Sequence, residues 1–250
     1  MNKMILFGLP IFRNLSSLKF KIYNADGRII YKEIYKEEKY ESSEKFDVEK
    51  HMYGEPGKYR IIEKNLVINH SSVQNKFENQ IKENIAKINQ EDLSDIEKII
   101  IDLRGNTGGN SRWNKPLIDF LKEYPEIELI TLTDYRVFSG GRYALCNLQE
   151  LGSITIGEEI STPINCYGNN TLISVDGYNF GISERYFHPL EKIAISSRDD
   201  YEKKITKDIL EPVIFKPDIY VFQNKEDYRK GIDSVLEYAL TYSIKKNKTL

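Results

Sequence analysis

The chain has 250 residues, enough for one large domain or one domain with a small appendage. It is 40% hydrophobic, 30% charged and 12% aromatic, which is ample material for a core, and its formal net charge of -2 excludes a strong field for nucleic acid or an anionic membrane. Two cysteines and three histidines exclude a disulfide framework and any zinc spacing, and no segment is long and apolar enough to span a bilayer.

Met4–Phe12 is apolar but short, contains Pro10 and meets Arg13, so it reads as a buried strand or turn rather than a leader. Leu18–Tyr23 and Arg28–Tyr35 read as strands flanking the turn Asn24–Gly27. Lys36–Lys50 is charged and reads as an exposed loop. Gly54–Gly57 is a further turn, and Tyr59–Ile62 with Leu66–Asn69 reads as a strand pair. From Val73 the period changes: Val73, Phe77, Ile81, Ile85 and Ile88 lie on one helical face, with Ser71 or Ser72 as N-cap. Lys98–Leu103 is β-branched without polar alternation, the mark of a strand buried on both faces. A helix starts near Pro116, a strand follows at Ile127–Thr133, then a helix at Gly140–Leu151 with Tyr143, Ala144, Leu148 and Leu151 inward, then a strand at Ser153–Ile156 ending at Gly157. This β-α-β-α-β order predicts an α/β core with crossover helices. Thr171–Val175 and Asn179–Ser183 are β-like, and Lys225–Lys245 reads as one helix. The basic run Lys245–Lys248 reads as a frayed tail. The organisation expected is a β-rich N-terminal region over residues 1–58 and a core over residues 59–250.

Two strand ends carry unusual sequence, at the place where open α/β sheets collect ligands. The first, Asp102-Leu103-Arg104-Gly105-Asn106-Thr107-Gly108-Gly109-Asn110, is rich in glycine, which admits positive φ and close backbone approach. Free amides in such a turn bind an anion or oxyanion; a plain strand-to-helix turn is the alternative. Asp102 and Arg104 read as structural, pinning the loop by charge-assisted hydrogen bonds. The second, Tyr135-Arg136-Val137-Phe138-Ser139-Gly140-Gly141-Arg142, sets a serine between strand and helix, where the helix dipole favours negative charge. There the alternative is a serine that caps the helix and does nothing else.

The ordered set Ile99–Gly109 (IIIDLRGNTGG), Val137–Leu145 (VFSGGRYAL), Ile156–Gly168 (IGEEISTPINCYG) and Pro217–Tyr220 with Glu226–Asp233 resembles the tail-specific, or carboxyl-terminal processing, serine peptidase family. The resemblance covers roughly Tyr59–Tyr242 and lacks a PDZ module. It implies a ClpP/crotonase-like spiral of β-β-α units, a Ser139 nucleophile, and an oxyanion hole built from the amides of Gly140 and of Gly108 or Gly109, with Asp102, Arg104 and Asn106 supporting the site. One such amide is worth ~3 kcal/mol in the transition state. It also implies a peptide or unfolded protein as substrate, with no cofactor and no metal.

The sequence departs from that family at two positions. The lysine that many members use as general base is missing from Ile156–Gly168, where Pro163 takes its place, and Arg142 replaces a glutamate shortly after the serine. An arginine stays protonated and cannot be the base. His70 is the candidate base, as some relatives take a histidine from an earlier segment. His188 reads as packing or surface, a role for Lys115 needs an unusual approach, Glu158 and Glu159 read as solvated, and a Cys146 or Cys166 nucleophile would need a nearby base. Two functions compete: a serine endopeptidase, and an inactive relative that binds a peptide or apolar ligand. With no nucleic-acid or membrane signature, a reducing, cytoplasmic location is expected, or export if the N-terminus is truncated.

Overall fold

The computed structural model describes residues 17–23, 29–35, 56–175, 178–195 and 210–243. The readings of Met4–Phe12, the Asn24–Gly27 turn, Lys36–Lys50 and Lys245–Lys248 lie outside these residues. The chain divides into two units, Met1–Phe46 and Asp47–Leu250. In the first, β1 (Ser17–Tyr23) and β2 (Ile29–Tyr35) pair antiparallel, from Ser17 opposite Tyr35 to Tyr23 opposite Ile29. The sequence reading starts the core at residue 59. The Gly57 amide, with φ of +82°, donates to Asn69 O at 2.8 Å, so that turn is bonded to the second unit.

The second unit is mixed α/β, built on a mostly parallel six-stranded sheet. Its strands are β3 (Tyr59–Ile62), β4 (Asn65–Asn69), β5 (Lys98–Asp102), β6 (Glu128–Thr133), β7 (Ile154–Gly157) and β11 (Ile219–Tyr220). The order is β11-β7-β6-β5-β4-β3, with only edge strand β3 antiparallel. All five residues of β5 are buried, as an apolar run between two covered faces requires. Alternation divides its side chains. Ile99 and Ile101, with Leu66 and Ile68, pack against α1 (Glu78–Ile88), α2 (Lys115–Lys122) and α3 (Gly140–Glu150). Ile100 and Val67, with Ile130, Leu132 and Ile156, pack against Val235, Leu236 and Ala239 of α5 (Ser234–Thr241). Each buried Ile or Leu contributes roughly 2 kcal/mol.

The structure corrects three element readings. The helix expected from Val73 starts at Glu78, after a 3-10 turn at Asn75–Phe77. Val73 is fully buried and extended, bridging to Gly109, and its carbonyl accepts from Asn110 N at 2.9 Å, so tertiary pairing outweighs the helical period there. Ser72 Oγ accepts from Gln74 N at 3.3 Å and caps no helix. The single helix read over Lys225–Lys245 is two: α4 (Lys225–Arg229) and α5, separated at Gly231, whose φ is +74°. Asp233 is extended and caps α5 through Leu236 N at 3.0 Å, which a mid-helix aspartate could not do. Finally, the two short β-like runs are one long hairpin, β8 (Cys166–Val175) and β9 (Tyr178–His188), extended by β10 (Ile193–Ile195). Among the described residues no helix is long and apolar enough to cross a membrane.

Candidate active site

The loops that leave β5 and β6 lie side by side at the carboxyl ends of the parallel strands. Asp134 ties them together: Oδ1 accepts from Gly105 N and Arg136 N, each at 3.0 Å, and Oδ2 from Arg136 Nε at 2.9 Å. Asn106, wholly buried, joins three segments. Its Nδ2 donates to His70 O at 2.6 Å, its Oδ1 accepts from Gly108 N at 2.9 Å, and its main-chain oxygen accepts from Phe138 N at 2.8 Å. Asp102 and Arg104 support the loop from below. Arg104, 2% exposed, bonds Asp102 through Nε (2.9 Å) and Nη2 (2.7 Å), and Asp233 through Nη1 (2.7 Å) and Nη2 (2.6 Å). Burial works against its charge, but the two carboxylates hold its pKa well above the ordinary value. Asp102, Arg104 and Asn106 are thus each held by specific bonds, and Asp233 is a partner that the sequence did not single out.

Ser139 precedes α3 with φ of +48° and ψ of −116°, outside every region that an L side chain favours. Its hydroxyl makes no capping bond, so the reading of Ser139 as a plain N-cap does not hold. The residue is exposed. The turn is held by Gly141 N to Phe138 O (2.9 Å) and Arg142 N to Ser139 O (3.0 Å). Gly108, with φ of +96°, lies against it: a Cβ there would stand 2.6 Å from Ser139 Cβ and 2.7 Å from Gly140 N. A Cβ on Gly140 would stand 2.9 Å from Gly109 O and 3.2 Å from Gly109 N. Both glycine clusters therefore serve one close approach of two backbones. Because the Gly108 amide is spent on Asn106 Oδ1, the amides left as candidate anion donors are those of Gly109 and Gly140.

His70 follows β4 and is 2% exposed. Its amide donates to Asp102 O at 2.8 Å, and its Nε2 lies 2.8 Å from Asn114 Oδ1. Asn114 Nδ2 donates to Gly140 O at 3.0 Å, which fixes the amide orientation and makes Nε2 the protonated ring nitrogen. Burial pushes the His70 pKa below its ordinary value, against the Asn114 bond, so the ring is neutral with an unprotonated Nδ1. His70 and Ser139 are thus linked through Asn106 and Asn114. Among the described residues the Ser139 hydroxyl bonds no histidine or lysine nitrogen. Asn114, 1% exposed in the 3-10 turn Ser111–Asn114, is a site residue that sequence reading missed. No period or motif marks it, because its role depends on two segments distant in the chain.

The remaining candidates take other places. His188 is buried at the end of β9, with Glu191 N 3.4 Å from Nδ1. Lys115 pairs with Asp119 on α2, and Glu159 accepts from the Tyr220 hydroxyl. Glu158 is half-buried, its pKa raised by burial and by Asp134. Burial pushes the Cys146 thiol up to about 12 and raises Cys166 too, so neither is a ready nucleophile. Arg142, read only as a replacement, is 1% exposed and donates through Nη1 to Pro163 O. The two departures from the family pattern are therefore bonded to each other.

No family model and no curated protein matches this sequence. Solved structures with a similar chain path include a protein of Bacteroides fragilis provisionally described as a protease, 10% identical over 90% of this chain and 64% of that one, with a TM-score of 0.49. A second, from Parabacteroides merdae and provisionally described as a peptidase, is 15% identical over 77% of this chain and 68% of that one, with a TM-score of 0.48. A photosystem II D1 C-terminal processing protease is 11% identical over 63% of this chain and 42% of that one, with a TM-score of 0.42.

Proposed function

We propose that the chain is a serine-type endopeptidase of the tail-specific kind, with the ClpP/crotonase-like spiral which that family resemblance implies. Ser139 Oγ attacks the carbonyl carbon of a peptide bond, the amides of Gly109 and Gly140 receive the oxyanion, and the amine leaves with the proton that Oγ gave up. Water then hydrolyses the ester and restores the hydroxyl. His70 is the proton acceptor of this reading, through its unprotonated Nδ1. The resting hydroxyl bonds no histidine among the described residues, so the transfer requires a rearrangement that brings the two groups together. The observation that carries the reading is the Ser139 backbone: a strained, exposed serine at a strand-to-helix turn, over two glycine backbones. Strain of that kind persists where function requires it.

A second reading, a relative that binds peptide without turnover, is favoured by one observation. The guanidinium–carbonyl bond between Arg142 and Pro163 occupies the positions where the resemblance implies a glutamate and a lysine. An active-site fluorophosphonate probe separates the two. Labelling of the wild type that is lost in Ser139→Ala supports the peptidase. Equal labelling of both, or of neither, together with no cleavage of unfolded protein, supports the binding protein.

A further inference from the structure

Among the described residues two arginines are buried, and their surroundings are opposite. Arg104 meets two carboxylates. Arg142, less exposed still, meets none: the groups acting on its charge are the Cys166, Tyr143 and Cys146 side chains, and burial holds its pKa below the ordinary value. A buried cation without an anion costs several kcal/mol.

Its unused hydrogen-bonding capacity is concentrated. Nη1 is spent on the Pro163 carbonyl and the Cys166 thiol also acts on the guanidinium as a hydrogen-bonding neighbour, while Nε and Nη2 are buried with no oxygen or nitrogen partner among the described residues. Those two atoms form one edge of the guanidinium, a parallel pair of donors that matches the two oxygens of a carboxylate. Thr162, which directly precedes Pro163, carries a third buried, unpartnered polar atom in Oγ1. Of the four such side-chain atoms among the described residues, three belong to Arg142 and to the residue that precedes its partner Pro163; the other is Asn69 Nδ2. Phe138, 43% exposed and next to Ser139 in the chain, has its ring centroid 4.5 Å from the guanidinium carbon, which sets the guanidinium close to the serine.

We propose that Arg142 and Thr162 form a carboxylate-binding subsite beside Ser139, which receives the C-terminal carboxylate or an acidic side chain of a peptide. That the occupant is a peptide rests on the proposed role of Ser139; the demand for a carboxylate does not. A carboxylate there would pair with the buried Arg142 donors that the fold leaves unpartnered.

The test uses the full chain carrying Ser139→Ala, so that binding is read without turnover. Four dye-labelled tetra-alanine peptides are compared by fluorescence anisotropy: a free carboxylate, its amide, and two amides ending in glutamate or glutamine. Peptides with a carboxylate should bind at least tenfold more tightly than their neutral counterparts, and the arm that gains shows which carboxylate is used. Arg142→Met should erase the difference, Thr162→Val should reduce it, and Arg142→Met should raise the Tm of the unliganded chain because it removes an unpaired buried charge. Affinities equal within twofold, a difference that survives Arg142→Met, or no binding by any peptide overturns the proposal. If Arg142→Met does not fold, Arg142→Lys decides: it keeps the charge but loses the paired edge, and an unchanged difference overturns the subsite. Carboxylate binding without fluorophosphonate labelling would remove the peptidase and leave the subsite standing; labelling without carboxylate preference would do the reverse.

Discussion

Ser139 occupies a backbone conformation that costs a side chain about 1–3 kcal/mol. Glycine already outranks alanine at a helix N-cap by about 1 kcal/mol, and here alanine also keeps the strain at position 139 while glycine releases it. Ser139→Gly is expected to be more stable than Ser139→Ala by about 2 kcal/mol in urea denaturation, and both should lose fluorophosphonate labelling. If alanine proves the more stable of the two, the serine is not strained. A glycine-flanked serine at this turn was legible in the sequence, because glycine is needed wherever backbones approach closely. Its dihedral angles were not, since the neighbour that imposes them, Gly108, lies in a loop from another strand.

At the scale of elements, the site is an agreement between two loops. Gly108→Ala adds a methyl group 2.6 Å from Ser139 Cβ at a φ of +96°. The substitution should cost more than about 2 kcal/mol and abolish labelling, because neither backbone can yield without breaking the Asn106 bonds; full labelling would show that the contact is not needed. The second prediction concerns α5. Asp233 caps that helix and holds one side of Arg104. Asp233→Ala removes a cap worth about 1 kcal/mol and half of a buried ion cluster, a combined loss of at least about 3 kcal/mol by calorimetry. A loss under about 1 kcal/mol would mean that Asp102 alone satisfies Arg104. Helices α2 and α3 and strands β5 to β7 follow from the apolar period and from the placement of Pro116, which are local signals. The late start of α1 and the division of α4 from α5 do not, because Val73 pairs with Gly109 and Asp233 answers Arg104 across the fold.

For the whole molecule, acid should be destabilising through His70. Its folded pKa lies below that of the unfolded chain, about 6.5, because burial favours the neutral ring. Below that pH the unfolded chain takes up a proton that the folded chain refuses, so stability is full above it and falls as the pH drops toward the folded pKa. Between pH 7 and 5 the Tm of the wild type should decline more steeply than that of His70→Gln; parallel curves would mean that folding does not shift the His70 pKa. Sequence by itself determined the parallel α/β core, the two glycine-bearing strand ends, and the glycine-flanked Ser139 between strand and helix. Those features rest on apolar period, on glycine at close approaches and on motif order, all carried along the chain. Only the tertiary structure decided that the Gly108 amide is spent, that His70 answers to Asn114 rather than to Ser139, and that Arg142 is buried beside Pro163 without an anion. Each of those depends on which hydrogen-bonding groups meet across the fold, and no local pattern encodes a partner.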